Sequence, residues 1–255
     1  MKASSLTLLL VLCTLLLMPL STAASGILTL QPSEGPAGTL VVIPSPCTYG
    51  EGNYYIYWGD PPQLISQGQI DDKCVAVIFD VPEAPRGKHN VSLKIGDDIF
   101  DKEITIQPSI TMAVDEGSVG SSVALRATGF NSNESGIKVM YDGDPVESGI
   151  RATGKGSWQA TIKIPVSSRG AHTIDAEGTT SASEVPDLSF TVTPEISINP
   201  ASGWVGTVVT IGGTGFDSGE TNIKVTYDDL PTKTGISADL KGSWQTSFSV
   251  PTSAS

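Results

Sequence analysis

Few residues of this chain are of types that do chemistry. They are three cysteines (Cys13, Cys47, Cys74), two histidines (His89, His172), the aromatic run Tyr54, Tyr55, Tyr57 and Trp58, and aspartates gathered in short loops. A histidine acting as a general base is held by a setting of its own. Here the two share one setting, Gly-x-His-x-Val at Gly87 to Val91 and Gly-x-His-x-Ile at Gly170 to Ile174, so both read as features of the fold. The sequence lacks Gly-x-Ser-x-Gly, His-Glu-x-x-His, Gly-x-x-x-x-Gly-Lys-Ser and Cys-x-x-Cys. Those are the common signatures of acyl transfer, zinc hydrolysis, phosphate binding and dithiol redox chemistry. Loop carboxylates can hold Ca²⁺, which makes Asp142 and Asp144 of Asp142-Gly-Asp144 the metal candidates. Asp-Gly is equally plain turn chemistry, the full calcium loop is missing, and the turn is the preferred reading. The many surface aspartates single out no facing pair of the kind glycoside hydrolysis needs. The expectation is no catalytic residue and no cofactor.

These residues are positioned by copies of one element, a β-strand bounded by glycine turns: Gly35 to Thr48, Gly117 to Phe130 and Gly203 to Phe216. A shift of 86 places Thr128-Gly-Phe130 on Thr214-Gly-Phe216, Tyr141-Asp142 on Tyr227-Asp228, and Gly156-Ser-Trp-Gln159 on Gly242-Ser-Trp-Gln245. The first copy is more diverged. It matches the second at a shift of 82 over Gly35 to Gly38 and of 83 over Val81-Pro82, Gly87 and His89. Positions apolar in all copies, Val41/Val123/Val209 and Ile43/Leu125/Ile211, alternate with free ones such as Pro44/Arg126/Gly212. That is a strand with one buried face. Tyr54/Ile137/Ile223, Ile56/Val139/Val225 and Trp58/Tyr141/Tyr227 predict a second inward set, and Val75/Trp158/Trp244 with Phe79/Ile162/Phe248 a third. Opening strands are expected at Ile27 to Leu30, Ile110 to Val114 and Ile196 to Asn199, and closing ones near His89 to Ile95 and Glu103 to Ile106. No stretch shows helical spacing. About seven short strands per copy make an all-β, immunoglobulin-like sandwich.

The first residues are a targeting segment: Lys2, an apolar run from Leu6 to Leu20, then Ser21-Thr-Ala-Ala24. The run has 15 residues, short of the roughly 20 a spanning helix needs. Residues 1–24 therefore read as a signal peptide, with no membrane span in the mature chain. Cys13 follows Leu12, which is not the small residue a lipidation site wants. Losing Lys2 takes the formal charge from −12 to −13, a balance that repels nucleic acid. Secreted or cell-surface localisation follows from the leader. Organisation is expected as 25–107, a diverged immunoglobulin-like domain, then 108–194, then 195–255. The joints Gln107-Pro-Ser-Ile110 and Thr193-Pro-Glu-Ile196 are too short and proline-bearing to tumble, which predicts a semi-rigid rod. The last copy is expected to be incomplete, its closing strands supplied by further sequence or, alternatively, by another molecule.

The run Pro200 to Phe216 with Gly242 to Trp244 and Val250-Pro251 resembles the IPT/TIG-type immunoglobulin-like repeats of bacterial and archaeal surface proteins. The resemblance covers residues 108–255 and, less closely, 25–107, where Ser45-Pro-Cys47 replaces the Thr-Gly motif. It implies a sandwich and says little of activity, because such folds host many functions.

In that sandwich Cys47 and Cys74 fall at the meeting ends of neighbouring strands, where the other copies have Gly129 with Ser157 and Gly215 with Ser243. A disulfide is expected, since exported proteins keep them. Trp158 and Trp244 recur and read as core. Tyr54, Tyr55, Tyr57 and Trp58 do not recur in full and are the candidate contact for a cell-surface glycan or protein. Asn90-Val-Ser92 and Asn133-Glu-Ser135 are sequons, making Asn90 and Asn133 the glycosylation candidates. The functional expectation is a non-enzymatic stalk or adhesion module. The alternative is the spacer region of a larger secreted enzyme. A DNA-binding role, as in TIG domains of some transcription factors, is opposed by leader and charge.

Overall fold

The computed structural model describes residues 27–179 and 185–252, and the leader with Cys13 lies outside them. Among the described residues, every regular element but one short 3₁₀ turn at Pro46–Thr48 is a strand. No helix among the described residues is long and apolar enough to cross a membrane. The buried side chains gather into three clusters, within residues 28–106, 110–192 and 209–248, called units 1, 2 and 3 below.

Unit 1 contains β1 (Glu34–Gly35), β2 (Leu40–Ile43), β3 (Gly52–Trp58), β4 (Gln63–Ile70), β5 (Val77–Asp80), β6 (Gly87–Ile95) and β7 (Asp98–Ile106). One sheet has the order β1-β7-β6-β3-β4 and the other pairs β2 with β5. Val41, Ile43 and Phe79 from the small sheet meet Ile56, Val91, Leu93 and Ile104 from the large one, all nearly inaccessible. Alternation of apolar and polar residues is what lets each sheet bury one face only. Two expectations fail here. Ile27 to Leu30 forms no ladder: Leu28 and Leu30 are buried, and the segment is held by a bridge between Gln31 and Val42 and by the Tyr49 hydroxyl. Val75 is 69% exposed, because β5 starts at Val77, beyond Cys74, whose φ of 55° turns the chain off the ladder.

Unit 2 repeats the plan with β8 (Ser109–Met112), β9 (Glu116–Gly117), β10 (Ser122–Thr128), β11 (Ser135–Tyr141), β12 (Asp144–Arg151), β13 (Trp158–Lys163), β14 (Gly170–Glu177) and β15 (Leu188–Val192). Its sheets are β13-β10-β8 and β12-β11-β14-β15-β9. Unit 3 contains β16 (Glu195–Asn199), β17 (Val208–Thr214), β18 (Ile223–Tyr227), β19 (Leu230–Ile236) and β20 (Trp244–Ser249). Its first sheet, β16-β17-β20, copies that of unit 2, and its second is the pair β18-β19. The edge of β18 that corresponds to the β14-facing edge of β11 has no partner among the described residues. The core is correspondingly open: Ile196 is 67% exposed where its counterpart Ile110, next to β15, is 3%.

The recurring motifs sit at the joints. Phe130 and Phe216 each receive Trp158 or Trp244 edge-on, at centroid distances of 5.5 and 5.4 Å. The Phe130 N–H donates to Gly156 O and the Phe216 N–H to Gly242 O, both at 3.0 Å. The carbonyls of the same phenylalanines face the preceding unit: Arg86 N–H donates to Phe130 O at 3.0 Å and Arg169 N–H to Phe216 O at 2.9 Å. Gly129 and Gly215 (φ 74° and 68°) lie against the backbone of the preceding linker, where a Cβ would strike Gln107 O or Thr193 O. Left-handed backbone and close approach together require glycine. Thr-Gly-Phe is thus the socket into which the preceding unit fits.

Candidate binding face

On β3 the period of two divides the aromatic run. Tyr54, Ile56 and Trp58 point inward, while Tyr55 and Tyr57 point outward and are half-buried. Trp58 is only 7% exposed and stacks on His89 at 5.3 Å with 16° between planes. As a ligand contact Trp58 is corrected to a core residue, and Tyr54 packs against the same core. Tyr141 stacks on His172 in the same way, at 5.2 Å and 18°.

The histidines serve the joints. His89 Nε2 donates to Pro85 O at 2.6 Å and His172 Nε2 to Ser168 O at 2.7 Å. Each braces the carbonyl just before the arginine whose N–H enters the next unit's socket. His172 Nδ1 also reaches Asp142 Oδ2 at 2.6 Å, and Asp142 Oδ1 accepts the Thr173 N–H at 2.9 Å. Both oxygens of Asp142 are thereby engaged in closing its turn, where φ is 49°. Asp144, paired with Tyr141 on β12, does not share this cluster. No group of three or more metal-ligating side chains occurs among the described residues. Nearby, the Tyr141 hydroxyl meets Ser167 Oγ at 2.8 Å. Burial pushes its pKa up, and the charge of Asp142 adds to this while the Ser167 hydrogen bond opposes it.

The outward face of the large unit 1 sheet is where exposed chemistry collects. Tyr55 lies between Gln67 on β4 and Lys94 on β6, and Tyr57 between Leu64 and Ser92. Across β6, Ser92 faces Asp101 and Asn90 faces Glu103. Asn90 Nδ2 donates to Ser92 Oγ at 3.2 Å and to Asp101 Oδ1 at 3.3 Å, and Ser92 Oγ donates to the same carboxylate oxygen. Lys88 pairs with Glu103 at 2.8 Å, and that hydrogen bond, then the charge of Glu103, raises the lysine pKa. A shallow groove of about 530 Å³ runs along β7 beside Asn90 and Asp101. Two rings flanked by amides, hydroxyls and a carboxylate form a face on which a sugar ring can stack and hydrogen-bond. Of the four aromatic residues expected to form a contact, Tyr55 and Tyr57 lie on this face, and the register sets the polar groups of β6 and β7 beside them. Asn90 is exposed on this face, and Asn133 is exposed in a turn with φ 57°.

At the end of unit 1 that corresponds to the Thr-Gly-Phe socket stands a disulfide, Cys47–Cys74, with Cα atoms 5.3 Å apart. It joins the ends of the antiparallel neighbours β2 and β5. Tyr49, its ring tilted 55° against Phe100 at 5.1 Å, closes the same end through its hydroxyl, which accepts the Thr29 N–H and donates to Ile27 O.

Residues 196–254 match the family model of the IPT/TIG domain. Unit 3 is an IPT/TIG domain. Unit 2 carries the sequence landmarks of unit 3 at a shift of 86 residues. No curated protein matches the chain. Among solved structures, it is similar to the central fibronectin-III array of RIM-binding protein (13% identity, covering 88% of this chain and 84% of that one, TM-score 0.26). It is also similar to the Escherichia coli adhesin FdeC (13% identity, 89% and 88% covered, TM-score 0.27). A further similar structure is invasin, a bacterial integrin-binding protein (9% identity, 84% and 52% covered, TM-score 0.25).

Proposed function

We propose that this is an exported, non-enzymatic repeat protein that works at the cell surface as a stalk and adhesion module. Its contact face is the outer side of the unit 1 sheet, around Tyr55 and Tyr57, and its partner is a surface glycan or protein. The observation that carries the reading is the joint: one set of contacts, arginine N–H into phenylalanine carbonyl beside a positive-φ glycine, recurs at both junctions. A repeated joint of this kind fixes how each unit follows the last, which is the property a stalk requires. The recurring histidines and tryptophans are engaged in that scaffold, leaving the non-recurring tyrosines for contact.

The test is binding of residues 25–194 to a glycan array and to cell-surface protein. Tyr55→Ala with Tyr57→Ala should abolish any binding found while the melting temperature stays close to wild type, since aromatic contacts dominate such interfaces. Trp58→Ala should instead unfold unit 1, at a cost of about 3–5 kcal/mol. Binding that survives the double tyrosine change would remove the proposed face. Asn90 lies two residues along β6 from Ser92, the cross-strand partner of Tyr57, so a glycan carried there would shade the face, and Asn90→Gln should then increase binding.

A further inference from the structure

Outside that face, a groove of about 840 Å³ lies at the joint of units 1 and 2. One wall is Glu83 with Pro36 and Ala37 of unit 1, and the other is the outer face of the β13-β10-β8 sheet. Three cations line it: Arg126, Arg151 and Lys155. Among the described residues none of the three makes an ion pair with a carboxylate, although the chain carries 27 acidic residues against 15 basic ones. Unpaired cations grouped in a chain of net charge −12 need a reason.

Unit 3 supplies the comparison. The same groove exists beside β17 and β20, about 400 Å³ in volume, lined by Gly212, Asp239, Ser243 and Gln245. At the shift of 86, Arg126 becomes Gly212, Arg151 becomes Ser237 and Thr153 becomes Asp239, and only Lys155 keeps its charge, as Lys241. The turn chemistry is unchanged by this: Asp239 Oδ1 accepts the N–H groups of Lys241 and Ser243, as Thr153 Oγ1 accepts those of Lys155 and Ser157. The fold therefore does not require the arginines. Recurrence marks what the sandwich and its joint need, and these two positions depart from it in the direction of positive charge.

We infer that the groove between units 1 and 2 binds a carboxylated oligosaccharide, with Arg126 and Arg151 pairing with its carboxylates and Gln159 with its hydroxyls. Guanidinium groups form two parallel hydrogen bonds to a carboxylate. Beside the cations, Ser109, Thr128 and Gln159 offer hydroxyls and an amide, and Pro36, Ala37 and Trp158 offer apolar surface against which a sugar ring can lie. Such a lining suits a polyhydroxylated anion. A long polyanion such as nucleic acid is opposed by the net charge. Glu83 on the facing wall limits how many negative charges the site tolerates. The inference is independent of the tyrosine face and stands even if that face binds nothing.

The test is calorimetric titration of the mature chain with trigalacturonate, with its methyl ester and with inorganic phosphate. The inference expects binding of the carboxylated trimer, weakening as ionic strength rises from about 0.01 to about 0.15 M. Arg126→Ala and Arg151→Ala should each weaken it roughly tenfold or more, and Glu83→Gln should tighten it by about two- to threefold. Both arginines are exposed, so the fold should be unaffected, and Arg126→Gln replaces the alanine variant if a melt shows otherwise. No binding, equal binding of the ester, or binding untouched by both arginine changes would overturn the assignment. Phosphate binding as tightly as the trimer would overturn it as a carbohydrate site.

Discussion

Asp175 lies half-buried on β14 and accepts the Ala176 N–H at 2.6 Å. Burial, foremost, raises its pKa, and the charges of Asp187 and Glu177 raise it further against the opposing backbone bond. The folded state therefore holds the Asp175 proton more tightly than the unfolded chain does. Stability falls as pH rises from the ordinary aspartate range through the raised folded value, and the full penalty is present above it. Asp175→Asn should accordingly stabilise unit 2 at neutral pH, by less than about 1 kcal/mol because the group is partly solvated. The gain should vanish near pH ~3, and urea melts at the two pH values measure it. At this scale the sequence was readable where residues recur. His89 and His172 declared themselves as scaffold, yet what they scaffold, the loop carbonyl ahead of each joint arginine, needed coordinates. Trp58 was legible as inward from its alignment with Tyr141. Its grouping with the outward tyrosines failed because a chain position carries no direction until the strand phase is applied to every member of the run.

Among elements, strands with one dry face were legible and edge strands were not. β2, β10 and β17 keep apolar residues at every second position in all copies. β4, β12 and β19 sit at sheet edges, with burial patterns that are mostly exposed along their length. With no buried face they leave no period for the sequence to show. The parallel pairs formed by β1 and β9 have only two residues each, below what any pattern can mark. The disulfide was foreseen from the copies because Cys47 and Cys74 replace a recurring Gly and Ser on strands that must neighbour each other. Reducing it should lower the stability of unit 1 by about 3 kcal/mol, visible as an earlier transition in a melt with reductant. The socket glycine makes a contrasting prediction. Gly129→Ala forces an L-residue into left-handed backbone, about 1–2 kcal/mol, and drives its Cβ into Gln107 O. Gly154→Ala meets open space without a positive φ and should stay within about 0.5 kcal/mol.

Taken whole, the molecule is a series of like units in which each socket receives the loop of the unit before it. Unit 1 has a covalent staple and Tyr49 where units 2 and 3 have the socket. The joints and the groove between units 1 and 2 are each built by neighbouring units together. Short proline-bearing linkers lead to the expectation of restriction between the units. The hydrogen bonds and glycine contacts supply its physical cause. Small-angle scattering of the chain without its first 24 residues is the direct test. A single compact body of that length would have a radius of gyration of about 17 Å. The joint geometry predicts a distinctly larger value and an elongated distance distribution that shortens or broadens in Gly129→Ala. A value near that of one compact globule, unchanged by the substitution, would contradict it.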